Sequence, residues 1–379
     1  MSYKVPQLIP FVGKEELANL KQVIKKQWIT EGPFAKEFLH LIKEKTGAKY
    51  AVLANNGTLA LFMALKAIGI KEGDEVIVPN FTFIASATSV HFAGAKPIFV
   101  DVDKDSLNID VTKIEKAITP KTKAIMPVHV YGQPADMDPI LEIAKKHKLQ
   151  IIEDAAQGYG VQYKGKHTGT IGDIGTISFF ADKTITCGEG AVILTNNKET
   201  YDKLKLLRNQ GRPNSGTFIH PFLGMNFRMT DLQCAVGVAQ LKKYEKIKQI
   251  KLKNFNLYKE KLIGIKEIEL FKHVNFSDCN NCYCDNESEC NFIPFRVNIL
   301  VERKSELLEY MESQGIQTRG FFYPLHLQPC FSNLGYNEND FPVSNYLYEK
   351  GVSLPIFPGI TETQISLVTD SIINFYKKP

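Results

Sequence analysis

The sequence predicts an α/β fold: a mostly parallel seven-stranded sheet with helices on both faces, followed by a smaller α+β unit. Three observations carry this. Short apolar or β-branched runs alternate with helical patterns from residue 50 to 195, and that alternation stops near residue 245. The stretches best suited to chemistry each follow a predicted strand, where open α/β sheets bind their ligands. With 379 residues, 44% hydrophobic and 23% charged, the chain has material for one large domain and a smaller one.

The predicted strands are Tyr50–Ala54, Glu75–Pro79, Pro97–Val102, Ala124–Val130, Gln150–Asp154, Thr176–Phe180 and Ala191–Thr195. Helical patterns at Leu59–Ile68, Ile84–Ala93, Val111–Ala117 and Met137–His147 connect the early ones. The large domain is expected over 26–245 and the small one over 246–379, with 1–25 packing on the latter. In the small domain Phe292–Val301 reads as a strand, and Arg303–Gln314 and Thr361–Lys377 read as helices. The segment Phe11 to Trp28 is expected against that domain.

A net charge of +5 is modest. The lysine-dense stretch from Leu241 to His273 has apolar residues at helical spacing (Ile247, Ile250, Phe255, Leu257, Leu262), which reads as a long helix with a solvated basic face rather than a nucleic-acid surface. Met1 to Phe11 lacks the pattern of a secretory signal, and no apolar run reaches the roughly 18 residues of a membrane span. A cytoplasmic protein that binds neither membrane nor nucleic acid is expected, and the Asn-x-Ser/Thr triplets at Asn56, Asn80, Asn275 and Asn286 then carry no glycan. Of seven cysteines, four cluster at Cys279, Cys282, Cys284 and Cys290. The first pair has Cys-x-x-Cys spacing, but no second well-spaced pair follows, so a reduced polar loop is expected in preference to a zinc site.

Lys183 lies in Ser178-Phe-Phe-Ala-Asp-Lys183-Thr-Ile-Thr-Cys-Gly-Glu-Gly190, between a predicted strand and a Gly-rich turn. Asp154 ends another strand. A lysine able to form an imine and an acid at the end of a buried strand are what pyridoxal phosphate requires: one anchors the cofactor, the other keeps its pyridine nitrogen protonated. By itself Lys183 reads more readily as a solvated surface group, as most lysines are. The added weight is Ala54-Asn-Asn-Gly57-Thr58, which joins a strand to the helical run starting at Leu59. There Gly57 permits close backbone approach, Thr58 offers a hydroxyl and a helix start offers free N–H groups, a setting for phosphate. The plain alternative is a strand-to-helix turn capped by Thr58. Neither Gly-x-Gly-x-x-Gly after the first strand nor Gly-x4-Gly-Lys-Ser/Thr occurs, and His-Glu-x-x-His is absent.

With these motifs in this order, the chain resembles the DegT/DnrJ/EryC1/StrS sugar aminotransferases, which are fold-type I pyridoxal phosphate enzymes. The resemblance runs from Trp28-Ile-Thr-Glu-Gly-Pro33 through Pro79-Asn-Phe-Thr-Phe83, Pro127-Val-His-Val-Tyr-Gly132, Glu153-Asp-Ala-Ala-Gln157 and Gly224-Met-Asn-Phe-Arg-Met-Thr-Asp231 to Thr318-Arg-Gly-Phe-Phe-Tyr-Pro-Leu-His326. It is nearest to the perosamine and viosamine synthases. Tyr159 and Gly160 depart from the usual pair after the Asp-Ala-Ala-Gln motif, and the Cys279–Cys290 loop has no placed counterpart.

The resemblance implies a role at each matching position. Lys183 would carry the cofactor as a Schiff base and act as acid and base. Asp154 would face the pyridine nitrogen, Gln157 the ring hydroxyl and Phe83 the ring face. Gly57, Thr58 and Ser178 would hold the phosphate, joined by Asn226 from a second copy in a homodimer with shared sites. Thr30, Arg319 and His326 would lie toward the substrate, although Arg319 also reads as a surface ion pair and His326 as a buried structural histidine. The implied reaction aminates C4 of a nucleotide-linked 4-keto-6-deoxyhexose with L-glutamate as donor. A 3-aminotransferase and a non-catalytic regulator on the same fold are the alternatives. The related 3-dehydratases carry His at the Lys183 position.

Overall fold

The computed structural model describes residues 3–214, 216, 218–271 and 292–377. The cluster Cys279–Cys290 and the triplets at Asn275 and Asn286 lie outside the described residues. The large sheet contains β1 (Tyr50–Ala54), β2 (Glu75–Pro79), β3 (Lys96–Val100), β4 (Thr122–Ile125) and β5 (Gln150–Asp154). A short hairpin of β6 (Gln162–Tyr163) and β7 (Lys166–His167) follows, and β8 (Ile174–Ser178) and β9 (Ala191–Thr195) complete the sheet. Its seven strands run β1-β9-β8-β5-β4-β2-β3. Pairings are parallel except those of β9 with β1 and β8, so β9 alone is reversed.

Helices cover both faces because successive strand residues bury apolar side chains on opposite sides of the sheet. Val52 and Ala54 of β1 and Val76 and Val78 of β2 face the helix Gly57–Ala67 in one core. Ala51 and Leu53 face the opposite side, with Phe38 and Ile42 of the helix Pro33–Thr46, and Ile77 joins Ile140 of the helix Met137–His147. This two-sided burial is what a doubly wound parallel sheet requires.

Three predicted strands were set too far along the chain, the first of them being β3, which was expected over Pro97–Val102 and runs Lys96–Val100. β4 stops at Ile125 instead of reaching Val130, because Pro127 offers no N–H to a ladder and Tyr131 turns the backbone left-handed (φ 53°). β8 runs Ile174–Ser178 rather than Thr176–Phe180; beyond Ser178 the chain makes only an isolated bridge from Phe180 to Gly188.

A second sheet combines β10 (Ile268–Leu270), β11 (Val297–Val301), β12 (Arg319–Gly320) and β13 (Gly351–Leu354), all antiparallel in the order β10-β11-β13-β12. It packs Val297, Ile299 and Val301 against Tyr258, Leu307, Met311, Val368 and Ile372. The predicted strand Phe292–Val301 begins five residues late, at Val297. Its first part crosses to the large domain instead, where Ile293 N donates to Gly132 O (3.3 Å) and Phe295 N to Tyr131 O (3.3 Å). The long basic helix expected within Leu241–His273 is Tyr244–Leu262, and it ends before β10, which occupies part of the same stretch.

The N-terminal segment also departs from expectation. Val5 bridges Ile316, and Gln7 Nε2 donates to Ser353 O and Leu354 O, which ties the first residues to the small sheet. The helix Lys14–Lys26, in contrast, lies on Asp231–Lys242: Asn19 Nδ2 donates to Ala235 O (3.0 Å), and Glu16 pairs with Lys243 (2.6 Å). No helix among the described residues is long and apolar enough to cross a membrane.

Beneath the sheet's rim, Glu153 is fully buried and accepts from Gly169 N (2.7 Å), Ile171 N (2.6 Å) and Gly172 N (2.7 Å). His129 Nδ1 accepts from Ala135 N, so its Nε2 carries the proton and donates to Glu153 (2.9 Å). Glu153→Ala would take the acceptor from these four donors, two of them backbone N–H groups of half-buried residues. We expect it to cost at least about 3 kcal/mol, read as a lower denaturant midpoint with an unchanged slope.

Candidate active site

Because β1, β2, β5 and β8 run the same way, their carboxyl ends share one rim, and there they open into a cavity of about 690 Å³. Asn56, Gly57 and Thr58 follow β1; Thr82 and Phe83 follow β2. Asp154, Ala156 and Gln157 enter from the end of β5, and Ser178, Phe180, Asp182 and Lys183 from the end of β8. The later part of the chain closes the other side with Phe295, Arg296, Arg319, Gly320, Phe322 and Ser353. Eight of the residues singled out in the sequence thus meet: Gly57, Thr58, Phe83, Asp154, Gln157, Ser178, Lys183 and Arg319.

One corner is suited to a phosphate. Asn56 caps the helix Gly57–Ala67, its side chain accepting from Leu59 N (3.0 Å), so the cap is Asn56 and not Thr58. The remaining first-turn N–H groups point at the cavity end of the helix, where an anion is favoured. A Cβ at Gly57 would stand 3.1 Å from Ser178 Cβ and 3.3 Å from its Oγ, so any larger residue here would crowd the serine and glycine lets β1's exit lie close to it without that shift.

Asp154 is almost fully buried. Its Oδ2 accepts from Ser86 Oγ (2.7 Å) and its Oδ1 from Ala156 N (3.1 Å). Burial pushes this carboxyl up, while the two donated hydrogen bonds and the nearby Lys183 oppose the rise. A cation placed against it, such as a protonated pyridine nitrogen, would relieve the penalty. Lys183 shows the mirror case: burial pulls its ammonium down, and Asp182, 3.4 Å away, partly restores it. Asp182 also accepts from Arg296 Nη2 (2.8 Å). A lysine with a lowered proton affinity has a larger share of free amine, the form that attacks a carbonyl.

Gln157 Oε1 accepts from Tyr131 N (2.5 Å), and the Tyr131 ring stacks on Phe322 with centroids 5.2 Å apart and planes 6° from parallel. Phe83 is 56% exposed at the cavity, with the Phe322 ring centroid 6.3 Å from its own, and so offers an open apolar face. Taken together, an amine-bearing lysine, a buried carboxylate, an open aromatic face and a phosphate corner fit pyridoxal phosphate.

Thr30, Asn226 and His326 lie outside this cavity lining. Thr30 is exposed and bridges Thr230. Asn226 is exposed, bridges Asn209 and accepts from Arg228 N (3.2 Å). His326 is buried with both ring nitrogens engaged: Asn80 Nδ2 donates to Nδ1 (2.9 Å) and Nε2 donates to Glu338 O (3.1 Å). This is the geometry of a structural histidine.

Sequence reading missed Ser86, Asp182, Glu189 and Arg296, all within the site or against it. Ser86 falls three residues past Phe83, and Asp182 adjoins Lys183; both stood beside residues already singled out. Arg296 sits in an apolar run that reads as core strand, with nothing local to mark it. Among the described residues no cluster of metal-ligating side chains occurs.

The profile of the DegT/DnrJ/EryC1/StrS aminotransferase family matches residues 10–373. A GDP-perosamine synthase of Escherichia coli O157:H7 is 37% identical over 376 residues, covering 98% of each chain. One from Caulobacter vibrioides is 39% identical over 345 residues, covering 90% of each. The crystal structure of S. venezuelae DesV superposes with a TM-score of 0.88 at 31% identity, over 96% of this chain and 95% of that one.

Proposed function

The chain belongs to the DegT/DnrJ/EryC1/StrS aminotransferase family, and on that premise we propose that it moves an amino group from L-glutamate to C4 of a nucleotide-linked 4-keto-6-deoxyhexose, giving a 4-amino-4,6-dideoxy sugar nucleotide. The observation that carries this reading is the meeting of Lys183, Asp154 and the Gly57–Ser178 corner in one cavity. The family's cofactor is pyridoxal 5′-phosphate. When bound, it supplies the electron sink for the pair left behind as the donor's α-proton departs.

The chain's own residues do the rest. Lys183 holds the cofactor covalently, then takes and returns the proton with its freed Nζ. Asp154 balances the charge on the pyridine nitrogen, and Ser86 fixes the Asp154 oxygen that does so. Gly57, Thr58 and Ser178 hold the phosphate, Gln157 the ring hydroxyl, and Phe83 covers the ring. Arg319, exposed at the cavity, suits the nucleotide end of the substrate. Placement of the amine at C4 rests on the run Lys183-Thr-Ile-Thr-Cys-Gly-Glu-Gly190 and on the perosamine synthases among the relatives.

The reading predicts a colour change. Purified protein is expected to be yellow, to fade with L-glutamate and to regain colour with a nucleotide 4-keto-6-deoxy sugar. Protein that keeps its colour in glutamate would rule out that donor.

We also propose a homodimer with shared sites. Phe218 is 85% exposed and Leu223 93%, and Ile219, Met225, Trp28 and Ile29 are exposed with them. These apolar side chains flank Asn226 and Thr30 in sequence, which makes the surface suited to a second copy. Mixing Lys183→Ala chains with Asn226→Ala chains under subunit exchange tests this at low pyridoxal phosphate. Shared sites put both lesions on one site of the hybrid and leave the other intact, so activity should exceed the mean of the two parents. A mean value or less would place Asn226 in its own chain's site.

A further inference from the structure

Arg296 is a charge that the reaction as described does not use. It opens β11's approach to the small sheet, is 5% exposed, and lines the cavity. Its Nη2 donates to Asp182 Oδ2 (2.8 Å), whereas its Nη1 is buried with no hydrogen-bond partner. Three cations surround one aromatic ring here. Arg296 Cζ lies 4.5 Å from the Phe295 centroid, Lys183 Nζ 4.7 Å and Lys251 Nζ 5.8 Å. Asp182 is the carboxylate that pairs with two of them, Arg296 and Lys183.

The two lysines have an outlet that the arginine lacks. Burial pulls Lys251 down to about 7 and lowers Lys183 as well, so each can shed its proton. A guanidinium stays charged under all ordinary conditions, and half of its donor fork here is unanswered. An unpaired buried donor of this kind calls for an anion delivered with the ligand.

We propose that Arg296 anchors a carboxylate of the amino donor through its open Nη1, with Asp182 holding the guanidinium in register from the other side. The inference rests on the aminotransferase reading. Asp182 contacts both the Arg296 guanidinium and the Lys183 amine, so the anchor lies beside the reacting nitrogen. A carboxylate on the reacting carbon, or one at the far end of a short dicarboxylic amino acid, spans such a gap. The phosphate corner at Gly57 and Ser178 is a separate part of the cavity. The diphosphate of a sugar nucleotide matches the exposed Arg319 better than a buried guanidinium.

The test separates the two half-reactions in Arg296→Gln and Arg296→Lys holoenzyme, each followed by the cofactor's absorbance in single turnovers. Lys183 serves both halves, so a lesion acting through Lys183 slows both. A lost donor anchor slows one. We expect Arg296→Gln to raise the glutamate concentration needed for half-maximal rate by roughly ten- to a hundredfold, the worth of a charged hydrogen bond, with Arg296→Lys recovering part of it. The keto-sugar half should stay within about twofold of wild type, which also shows that the variant is folded. Slowing of L-alanine to the same degree assigns the α-carboxylate, and slowing of glutamate alone assigns the distal one. Unchanged glutamate kinetics, equal slowing of both halves, or slowing of the sugar half alone would overturn the proposal. Should wild type itself fail to react with glutamate, the functional reading falls. Calorimetry with glutarate then decides the inference: binding lost in Arg296→Gln upholds it, and equal binding in both proteins overturns it.

Discussion

Lys183→Ala should lower turnover by at least about four orders of magnitude, the scale on which removing a covalent catalytic group acts. Two functions leave with the side chain: the bond to the cofactor and the proton carrier. Neighbours cannot replace it. Lys251 reaches the same Phe295 ring but does not line the cavity, and Asp182 cannot form an imine. Borohydride treatment followed by peptide mapping checks the assignment. Wild type should carry the reduced adduct on the peptide containing Lys183, and the variant should carry none. An adduct on a different lysine would move the site.

Asp154→Asn should come next in size, with catalysis down by roughly three orders of magnitude at retained cofactor, since the ring draws electrons only while its nitrogen is held protonated. The same variant carries a stability signature of opposite sign. The folded carboxyl is raised by burial, so an unfolded chain gives up this proton more readily than the folded apoprotein does. Without cofactor, that ionisation therefore costs stability at neutral pH, and the cost fades as pH falls into the unfolded carboxylate range. Apo Asp154→Asn is thus expected to melt above apo wild type at pH 7, with the gap closing toward low pH. Near-normal turnover, or an apo variant that melts lower at pH 7, would contradict the role given to this burial.

Much of the large domain was legible in the residues. Parallel strands buried on both faces read as short apolar-rich runs, and each of the seven predicted runs overlaps one of the seven strands of the sheet. Asp154 ends β5, and Gly57 and Lys183 lie shortly past the ends of β1 and β8, so locating the strands located the rim. The errors fall where the chain leaves regular structure. Pro127 ended β4 early because it cannot donate to a ladder, and Phe292–Phe295 formed backbone bonds with Tyr131 and Gly132 rather than extending β11. That crossing delivers Arg296 to the cavity, and no local pattern announces a long-range crossing. His326 illustrates the reverse limit: its motif left a substrate contact and a buried structural histidine both open, and the partners that occupy its two nitrogens, Asn80 and Glu338, lie elsewhere in the sequence. The role proposed for Asn226 calls for a second copy of the chain, which a single sequence does not display.

The most direct test of the whole account is a panel of GDP-, UDP- and dTDP-linked 4-keto-6-deoxyhexoses, each incubated with holoenzyme and L-glutamate. Products are read by mass and by NMR assignment of the new carbon–nitrogen bond. The account predicts that at least one member gains an amine at C4, with 2-oxoglutarate formed in equal amount. An amine at C3, or no amino sugar from any member while glutamate still bleaches the protein, would contradict it.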